Sequence, residues 1–462
     1  MKSMKLKTLT TFIIGVCFTP LLVQAQNEEQ QTISFDKPLT LEECVQYGLE
    51  NNHNLKTDRL EEKIAETQVG ETRAMGLPQA NFQSGLNYNY EVQKAFLPNA
   101  ILTGDPQAEG FTPVQFSPQY DGNAAFSVSQ LLFDGSYFVG LQAAKTLREL
   151  RQKESNRTEI DIVESITKSY YLVLITEERA KLVGANLSRL EKVLSDTKAL
   201  RKNGFAEQLD VDKLQVNLNN LKTEMNKVER NLTYTKDVLK FQMGLPLENQ
   251  VILSGTLEEL NLDASEYLGA EAEFDVNLRP EYNILQTNQD LANLDLKNNK
   301  ATHLPQLYAN FSYGWNSGVN STNDLFNFNE NWLSFGAVGV SLKWSLFTGL
   351  ARSNRMERNR IQIEQLEIQK TSLRNSIDME IKQAKDNLKS ATEALEVQKG
   401  NMELSKEVFE QMEIKFKNGV ASSTELLEAE TSTKEAQTNY YSALYDAVLS
   451  KIELEKALGI LY

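Results

Sequence analysis

The sequence predicts a mixed α and β membrane protein in which one structural unit is repeated in tandem. Three observations carry that prediction: blocks recur at a fixed distance, segments of about ten residues alternate apolar with polar side chains, and two very long stretches hold a helical pattern without proline. Leu77–Tyr90 reads LPQANFQSGLNYNY and Leu304–Trp315 reads LPQLYANFSYGW, an offset of about 227. Further on the offset is near 215: FDG at Phe133–Gly135 answers FTG at Phe347–Gly349, KNG at Lys202–Gly204 answers KNG at Lys417–Gly419, and Met243-Gly244 answers Leu458-Gly459. A period of this length is too long for a solenoid repeat and marks a duplication. The organisation read from it is an export signal at 1–25, an extension at 26–40, a first repeat at 41–244, a connector at 245–277 and a second repeat at 278–462.

The chain opens with Lys2, Lys5 and Lys7, then the apolar run Thr11–Val23, then the small-residue site Val23-Gln24-Ala25, which is the pattern of a cleaved signal peptide. Val16 precedes Cys17 where lipid attachment needs a small residue, so acylation is not expected there. Cleavage leaves Cys44 alone, hence no internal disulfide, and Cys44 is read as a buried helix residue. The net charge of −15 becomes −18 without the three signal lysines, which argues against nucleic acid as a partner. Beyond the signal no apolar run of about 18 residues occurs, so any membrane crossing has to use strands.

The first helix is expected over Leu41–Met75, with Thr40 and Glu43 spaced as a capping box. In the strand expected at 81–90, Phe82, Leu86, Tyr88 and Tyr90 share one face while Gln83, Asn87 and Asn89 share the other. A weaker strand follows at 126–133. Glu91–Asn123 between them, rich in proline and glycine, reads as an irregular surface loop. The second repeat gives strands at 307–315 and 336–346 around the shorter loop 316–331. All three tryptophans, Trp315, Trp332 and Trp344, fall in or beside these strands, as interfacial aromatics do. The same alternation also suits a soluble sheet with one face on a core. If the face meets lipid, four strands per chain cannot close a barrel, because about eight are the minimum and an open edge is not viable in hydrocarbon. Two copies would give eight strands and three would give twelve, and twelve leave room for a pore.

Ser136–Asn203 and Leu350–Asn418 contain no proline, and each would reach roughly 100 Å as a helix. Ile377, Ile381, Ala384, Leu388, Ala391, Leu395, Met402, Phe409, Met412 and Phe416 recur at steps of three and four, or their sum of seven, as do Val163, Ile166, Tyr170, Val173, Ala180, Leu187, Leu190 and Leu194. That is a coiled-coil seam. Gly204 and Gly419 read as helix C-caps, and Ser422 with Glu425 as a capping box for the returning helix. A return helix of about 36 residues covers roughly half the outgoing length. The helices at Leu41–Met75 and Pro280–His303 are expected to complete the layer, and the connector to hold a short strand at Val251–Leu253.

These elements in this order resemble the TolC family of outer-membrane efflux channels. The residues carrying the resemblance are LTLEECVQYGLENNHNL at Leu39–Leu55, the two LPQ strand entries, and two tips reading GFAEQLDV from Gly204 and FKNGVASSTELLEAE from Phe416. The resemblance implies a homotrimer with a 12-stranded outer-membrane β-barrel continuous with a 12-helix α-barrel in the periplasm. It further implies an exit channel of a tripartite efflux or type I secretion system, acting with a periplasmic adaptor (membrane fusion) protein and an inner-membrane transporter. It places Asp210, Glu425 and Glu428 at a periplasmic constriction, Asn203, Gly204, Phe205, Asn418, Gly419 and Val420 in the tip turns that dock the adaptor, and Tyr88, Tyr90, Tyr313, Trp315, Trp332 and Trp344 at the membrane interfaces. Well-known members hold their tips with a tyrosine and an arginine where this chain has Phe416 and Ala421, so its closed state is expected to be held differently or less tightly. His53 and His303 lack the company of a metal site, no cofactor is implied, and no catalytic motif occurs, so no enzymatic activity is expected. The rival reading is an exported coiled-coil stalk or adaptor with a soluble β-domain.

Overall fold

The computed structural model describes residues 37–255, 257 and 274–461. The export signal, the extension up to residue 36 and most of the connector lie outside the described residues.

Four long strands form one antiparallel sheet: β1 (Gln79–Tyr88), β4 (Tyr120–Phe133), β5 (Gln306–Val319) and β6 (Trp332–Lys343), in the order β1-β4-β5-β6. Residues opposite each other in an antiparallel pair point to the same face, so the register sorts the side chains. Phe82 lies opposite Phe126, Phe126 opposite Tyr313 and Tyr313 opposite Gly336; the row Val128, Phe311, Val338 follows on the same face. The other face carries Asn87 opposite Asp121, and Ser129 opposite Asn310. Its polar groups bond across strands: Asn87 Nδ2 and Asn89 Nδ2 donate to the Asp121 carboxylate at 2.8 and 2.9 Å, Ser129 Oγ to Asn310 Oδ1 at 3.1 Å, and Asn310 Nδ2 to Ser341 Oγ at 2.9 Å.

The segment read as an irregular loop holds more structure than expected. β2 (Lys94–Pro98) and β3 (Phe111–Gln115) form a separate two-stranded ribbon joined through the short helix α3 (Asn99–Thr103), and β4 begins at Tyr120. Pro98 and Pro113 lie inside that ribbon, opposite Phe111 and Phe96. A two-stranded ribbon is all edge, so a proline without N–H is tolerated there, and proline content misled the reading.

Each long strand continues a long helix. α2 (His53–Ala74) leads into β1, β4 into α4 (Gly135–Lys202), α6 (Pro280–Ala301) into β5, and β6 into α8 (Ala351–Lys417). α2 packs on α4, α4 on α6 and α6 on α8, so the helical layer repeats the order of the sheet above it. Away from the sheet, α5 (Gln208–Met243) returns along α4 and α9 (Ser423–Ala457) along α8, while α9 also touches α4. α4 is therefore flanked on both sides and buries Val163, Ile166, Tyr170, Val173, Leu190 and Leu194, whereas α8 buries little beyond Ile377, Ile381, Ala384, Leu388 and Phe409. α2 and α8 remain as the two open edges of the layer, directly in line with β1 and β6.

The return helices end against the start of each repeat. The helix expected over Leu41–Met75 is broken: α1 (Leu41–Asn51), with the Thr40/Glu43 capping box formed, stops at Asn52, whose ψ of 133 is not helical. Asn52 Oδ1 accepts from the N–H groups of Asn54 and Leu55 at 2.8 and 3.3 Å, and its Nδ2 donates to the carbonyl of Gln242 at the end of α5, 2.7 Å away. Gly244 follows with φ of 76, and a Cβ there would stand 2.4 Å from the Asn51 carbonyl oxygen. In the second repeat, 227 positions on, Arg279 occupies the place of Asn52. Its guanidinium donates to the Ala457 carbonyl at 3.0 Å and pairs with Glu281 and Glu380, both at 3.2 Å. Around the first junction lies a core of Cys44, Leu55, Ile166, Val173, Leu239 and Met243, joined by Leu253 of the connector, which bridges Leu39. Burial there pushes the Cys44 thiol up to about 12, leaving it protonated and unreactive.

Replacing Asn52 with alanine removes a helix cap and a buried interhelical hydrogen bond together, at a cost of about 2 kcal/mol. Amide hydrogen exchange should accelerate at Asn54 and Leu55 and at the end of α5, while the strand amides keep the wild-type rate.

Candidate functional site

The far ends of the two hairpins gather most of the residues singled out in the sequence. α4 ends at Asn203 and α8 at Asn418, and each asparagine folds its Nδ2 back to the carbonyl four residues before it, Ala199 at 3.1 Å and Ile414 at 3.0 Å. Gly204 and Gly419 follow with φ of 81 and 71, and Phe205 N–H and Val420 N–H close back on the Leu200 and Lys415 carbonyls at 3.0 and 2.9 Å. This left-handed closure needs a residue without Cβ, which accounts for the duplicated glycine. It leaves Phe205 and Val420 at the apex, 81% and 76% exposed.

The three carboxylates differ in surroundings. Asp210 accepts from Glu207 N–H at 3.2 Å within its own helix start, and from Ser423 Oγ of the other hairpin at 2.6 Å. Glu425 closes the capping box with Ser422, accepting its N–H at 2.7 Å and its hydroxyl at 2.9 Å, and these bonds hold its carboxyl below the usual range. Glu428 is exposed and makes no hydrogen bond or ion pair among the described residues. Glu425 and Glu428, three apart on α9, are neighbours on an exposed strip that borders the buried Leu426 and Ala429. The structure thus brings Asp210 to the neighbouring tip beside Glu425, and leaves Glu428 one turn further on.

Between the hairpins runs a polar ladder that the sequence reading missed. Lys213 Nζ donates to Thr424 Oγ1 at 2.9 Å, Asn217 Nδ2 to Glu430 Oε2, Lys434 pairs with Glu224, and Asn186 Nδ2 donates to Gln437 Oε1 at 3.0 Å. Arg189 lies 5.3 Å over the Phe409 ring. Around these contacts Leu190, Val193, Leu214, Leu218, Phe409 and Leu426 are buried, and Phe416 packs against them. Burial raises the Glu430 carboxyl to about 7, against the opposing pull of Lys434, Asn217 and Arg189. A signal was available: Asp210, Asn217 and Glu224 stand seven apart, as do Ser423, Glu430 and Gln437. Polar residues at one heptad position inside an apolar seam set its register.

Four of the six aromatic positions stand at the ends of the sheet, whereas Tyr313 and Trp315 lie inside β5. Tyr88 stacks on Tyr120 with centroids 4.9 Å apart at the loop end, and Tyr90 lies just past β1. Trp332 opens β6 at the same end, and Tyr313 meets Trp315 edge-on at 5.1 Å. Trp344 sits past the helix end of β6, its Nε1 donating to the His303 carbonyl at 3.0 Å. The twelve residue steps from Trp332 to Trp344 span roughly 40 Å at the usual strand rise. His53 and His303 lie in different parts of the fold, and among the described residues no cluster suits a metal ion.

Comparison with known proteins gives a consistent picture. A model of the outer membrane efflux protein family matches residues 45–244 and 279–460. The sequence is 22% identical over 427 residues to the outer membrane protein TolC of Vibrio cholerae, covering 91% of each chain. Among solved structures, the Campylobacter jejuni CmeC outer membrane channel superposes with a TM-score of 0.69 at 15% identity, over 91% of this chain and 86% of that one. A membrane protein from Pseudomonas aeruginosa gives 0.68 at 15% identity, over 90% and 92%. The open state of the Neisseria gonorrhoeae MtrE channel gives 0.66 at 17% identity, over 91% and 88%.

Because the folded chain holds a proton on Glu430 that the unfolded chain has released above its ordinary value of 4.5, the seam loses stability as pH rises from about 4.5 to 7. The loss is at most about 3 kcal/mol. Glu430→Gln, which cannot ionise, should melt at a higher temperature than the wild type at pH 8 and converge with it near pH 5. The thermal midpoint of the detergent-solubilised protein against pH reads the difference.

Proposed function

Since this chain belongs to the outer membrane efflux protein family, and is accordingly an efflux protein of the outer membrane, we propose that three copies close into one conduit from the periplasm to the exterior. In this reading the sheets join into a 12-stranded barrel and the helical layers into a 12-helix tube below it. The observation that carries the proposal is the coincidence of open edges. β1 and β6 leave one side of their backbone unpaired, and α2 and α8 form the open sides of the layer in line with them. A sheet edge cannot stand unpaired in hydrocarbon. Joining β6 of one copy to β1 of the next would bring α8 against α2 in the same step. Exposed apolar residues on α8, Ile361 with Ile368 and Val397 with Leu404, each pair seven apart, are suited to a second coiled-coil contact.

The apolar face then meets lipid, and the polar face of Asn, Ser and Gln lines the lumen. Tyr88, Tyr90 and Trp332 lie at the outer interface and Trp344 at the inner one, while Trp315 stands below the outer row and Tyr313 deeper, level with Phe126. At the opposite end of the tube, Asp210, Glu425 and Glu428 recur threefold around a narrow neck, favouring cations over anions. The exposed Phe205 and Val420 turns, with Asn203, Gly204, Asn418 and Gly419 shaping them, serve as the docking surface for a periplasmic adaptor coupled to an inner-membrane transporter. The conduit performs no covalent chemistry and takes no cofactor. The rival stalk would bury the aromatic strand faces in a protein core; here Phe82 and Val338 are 68% and 84% exposed.

Two measurements test this. Detergent-corrected light scattering should give the mass of three chains, and planar bilayers should show stepwise conductance; a monomer or dimer without conductance would sink the proposal. In the same recordings, Glu425→Gln with Glu428→Gln should lower cation selectivity and weaken block by multivalent cations. A glutamine in the third position of the helix still completes a capping box, so the helix start is kept, and unchanged selectivity would remove these residues from the constriction.

A further inference from the structure

At the loop end of the sheet, one row on the apolar face crosses all four strands: Leu86 lies opposite Gly122, Gly122 opposite Ser317, and Ser317 opposite Trp332. Gly122 has no side chain and Ser317 a small one, so the Trp332 indole lies across both. A Cβ on Gly122 would stand 2.8 Å from the indole and 2.8 Å from Leu86 Cδ2. Ser317 is buried beneath, its Oγ without a hydrogen-bond partner. The indole is held from the β5–β6 loop, where Trp332 Nε1 donates to the Leu325 carbonyl at 2.8 Å in the short helix α7 (Thr322–Leu325), and Phe328 stacks on the ring at 5.4 Å. This loop is therefore folded over the outward apolar face.

The next row toward the middle of the sheet is Ser84, Ala124 and Trp315. Its first two members are small, and they floor a cleft of about 300 Å3 walled by Leu86, Trp315, Phe328 and Trp332. The volume is at the lower end of what ligand sites show. No charged side chain lines it. An occupant with peptide or charged groups would leave them unpaired, whereas a hydrocarbon chain brings none. The cleft is continuous with the face that carries Phe82, Phe126 and Val338.

We infer that this cleft is a lipid site, holding one acyl chain of an outer-leaflet lipid in each copy of the protein. The site rests on the orientation proposed above, with the apolar face in the membrane and the β5–β6 loop at its outer side. A seated chain fills the step between the small floor and the Trp332–Phe328 wall, and ties the loop to the bilayer instead of to the pore mouth.

The test uses the purified full-length protein and phosphatidylcholine with dibrominated acyl chains. Native mass spectrometry should find one retained lipid per chain after detergent exchange. Ser84→Leu and Ala124→Leu, which fill the floor from the lipid side, should each reduce retention at least about tenfold, while Val340→Phe on the same face outside the cleft retains it as the wild type does. Equal retention in all four proteins, or none in the wild type, overturns the site, leaving bulk lipid or a neighbouring copy's side chain as the cover. Orientation is read separately from a single-tryptophan protein, Val338→Trp with the three native tryptophans changed to phenylalanine. Bromine quenching there, without cleft-dependent retention, defeats only the lipid site, and absence of quenching defeats the orientation itself.

Discussion

Everything in this molecule follows from the obligation of backbone groups to find hydrogen-bond partners where no water is present. Four strands satisfy that obligation internally at three of their junctions and leave it open at two edges, β1 and β6. A soluble sheet could cover such edges with charge, proline or a helix. Here both edge strands run straight into the helical layer, so the open edges of the sheet continue into the open edges of that layer, α2 and α8. The polar ladder of Asp121, Ser129, Asn310 and Ser341 on one face and the aromatic rows on the other are the lateral expression of the same separation of solvents.

Length imposes the second demand. A helix of 68 residues cannot be held by one return helix of 36, and the fold solves this by giving α4 different neighbours along its course: α2 and α6 near the sheet, α5 and α9 near the tip. The change of neighbours occurs at the buried junction of Cys44, Leu55, Ile166 and Met243, and there the chain also breaks between α1 and α2. Below it, hydrophobic packing alone would allow the hairpins to slide past each other by a turn. Asp210 to Ser423, Asn217 to Glu430 and Lys434 to Glu224 admit one register only. Phe416 joins the apolar part of that seam, so packing and polar contacts together hold the hairpins side by side.

Much of this was legible in the chain because it is local or periodic. The capping boxes at Thr40 and Ser422, the tip glycines and the alternation of Phe82, Leu86 and Tyr88 depend on neighbours a few residues away, and duplication displays each signal twice. What was missed depends on distance in sequence. The break at Asn52 has a local half, its side chain capping Asn54 and Leu55, which an unbroken helical pattern masked, and a distant half, the Gln242 carbonyl 190 residues on. The ribbon at Lys94–Gln115 was hidden by prolines that only an all-edge pairing accepts. Glu430 looked like one more charge on a charged helix until the opposite hairpin enclosed it. At the tip, the carboxylates were found by resemblance, whereas the ladder above them could have been found by counting sevens.

The two junctions that close the repeats are alike in place and unlike in chemistry, since Asn52 offers a neutral amide and Arg279 a cation that needs Glu281 and Glu380. Both return helices present the same group to these side chains, a backbone carbonyl, so the difference lies wholly in the sockets at the starts of the repeats. Where the second repeat has Glu281 the first has Asn54, so an arginine seated in the first socket would bury its charge with one carboxylate fewer, at a cost of several kcal/mol. The divergence of Asn52 from Arg279 and of Asn54 from Glu281 therefore leaves the two sockets chemically distinct. It keeps the ancestral symmetry of the backbone while abolishing the interchangeability that came with it.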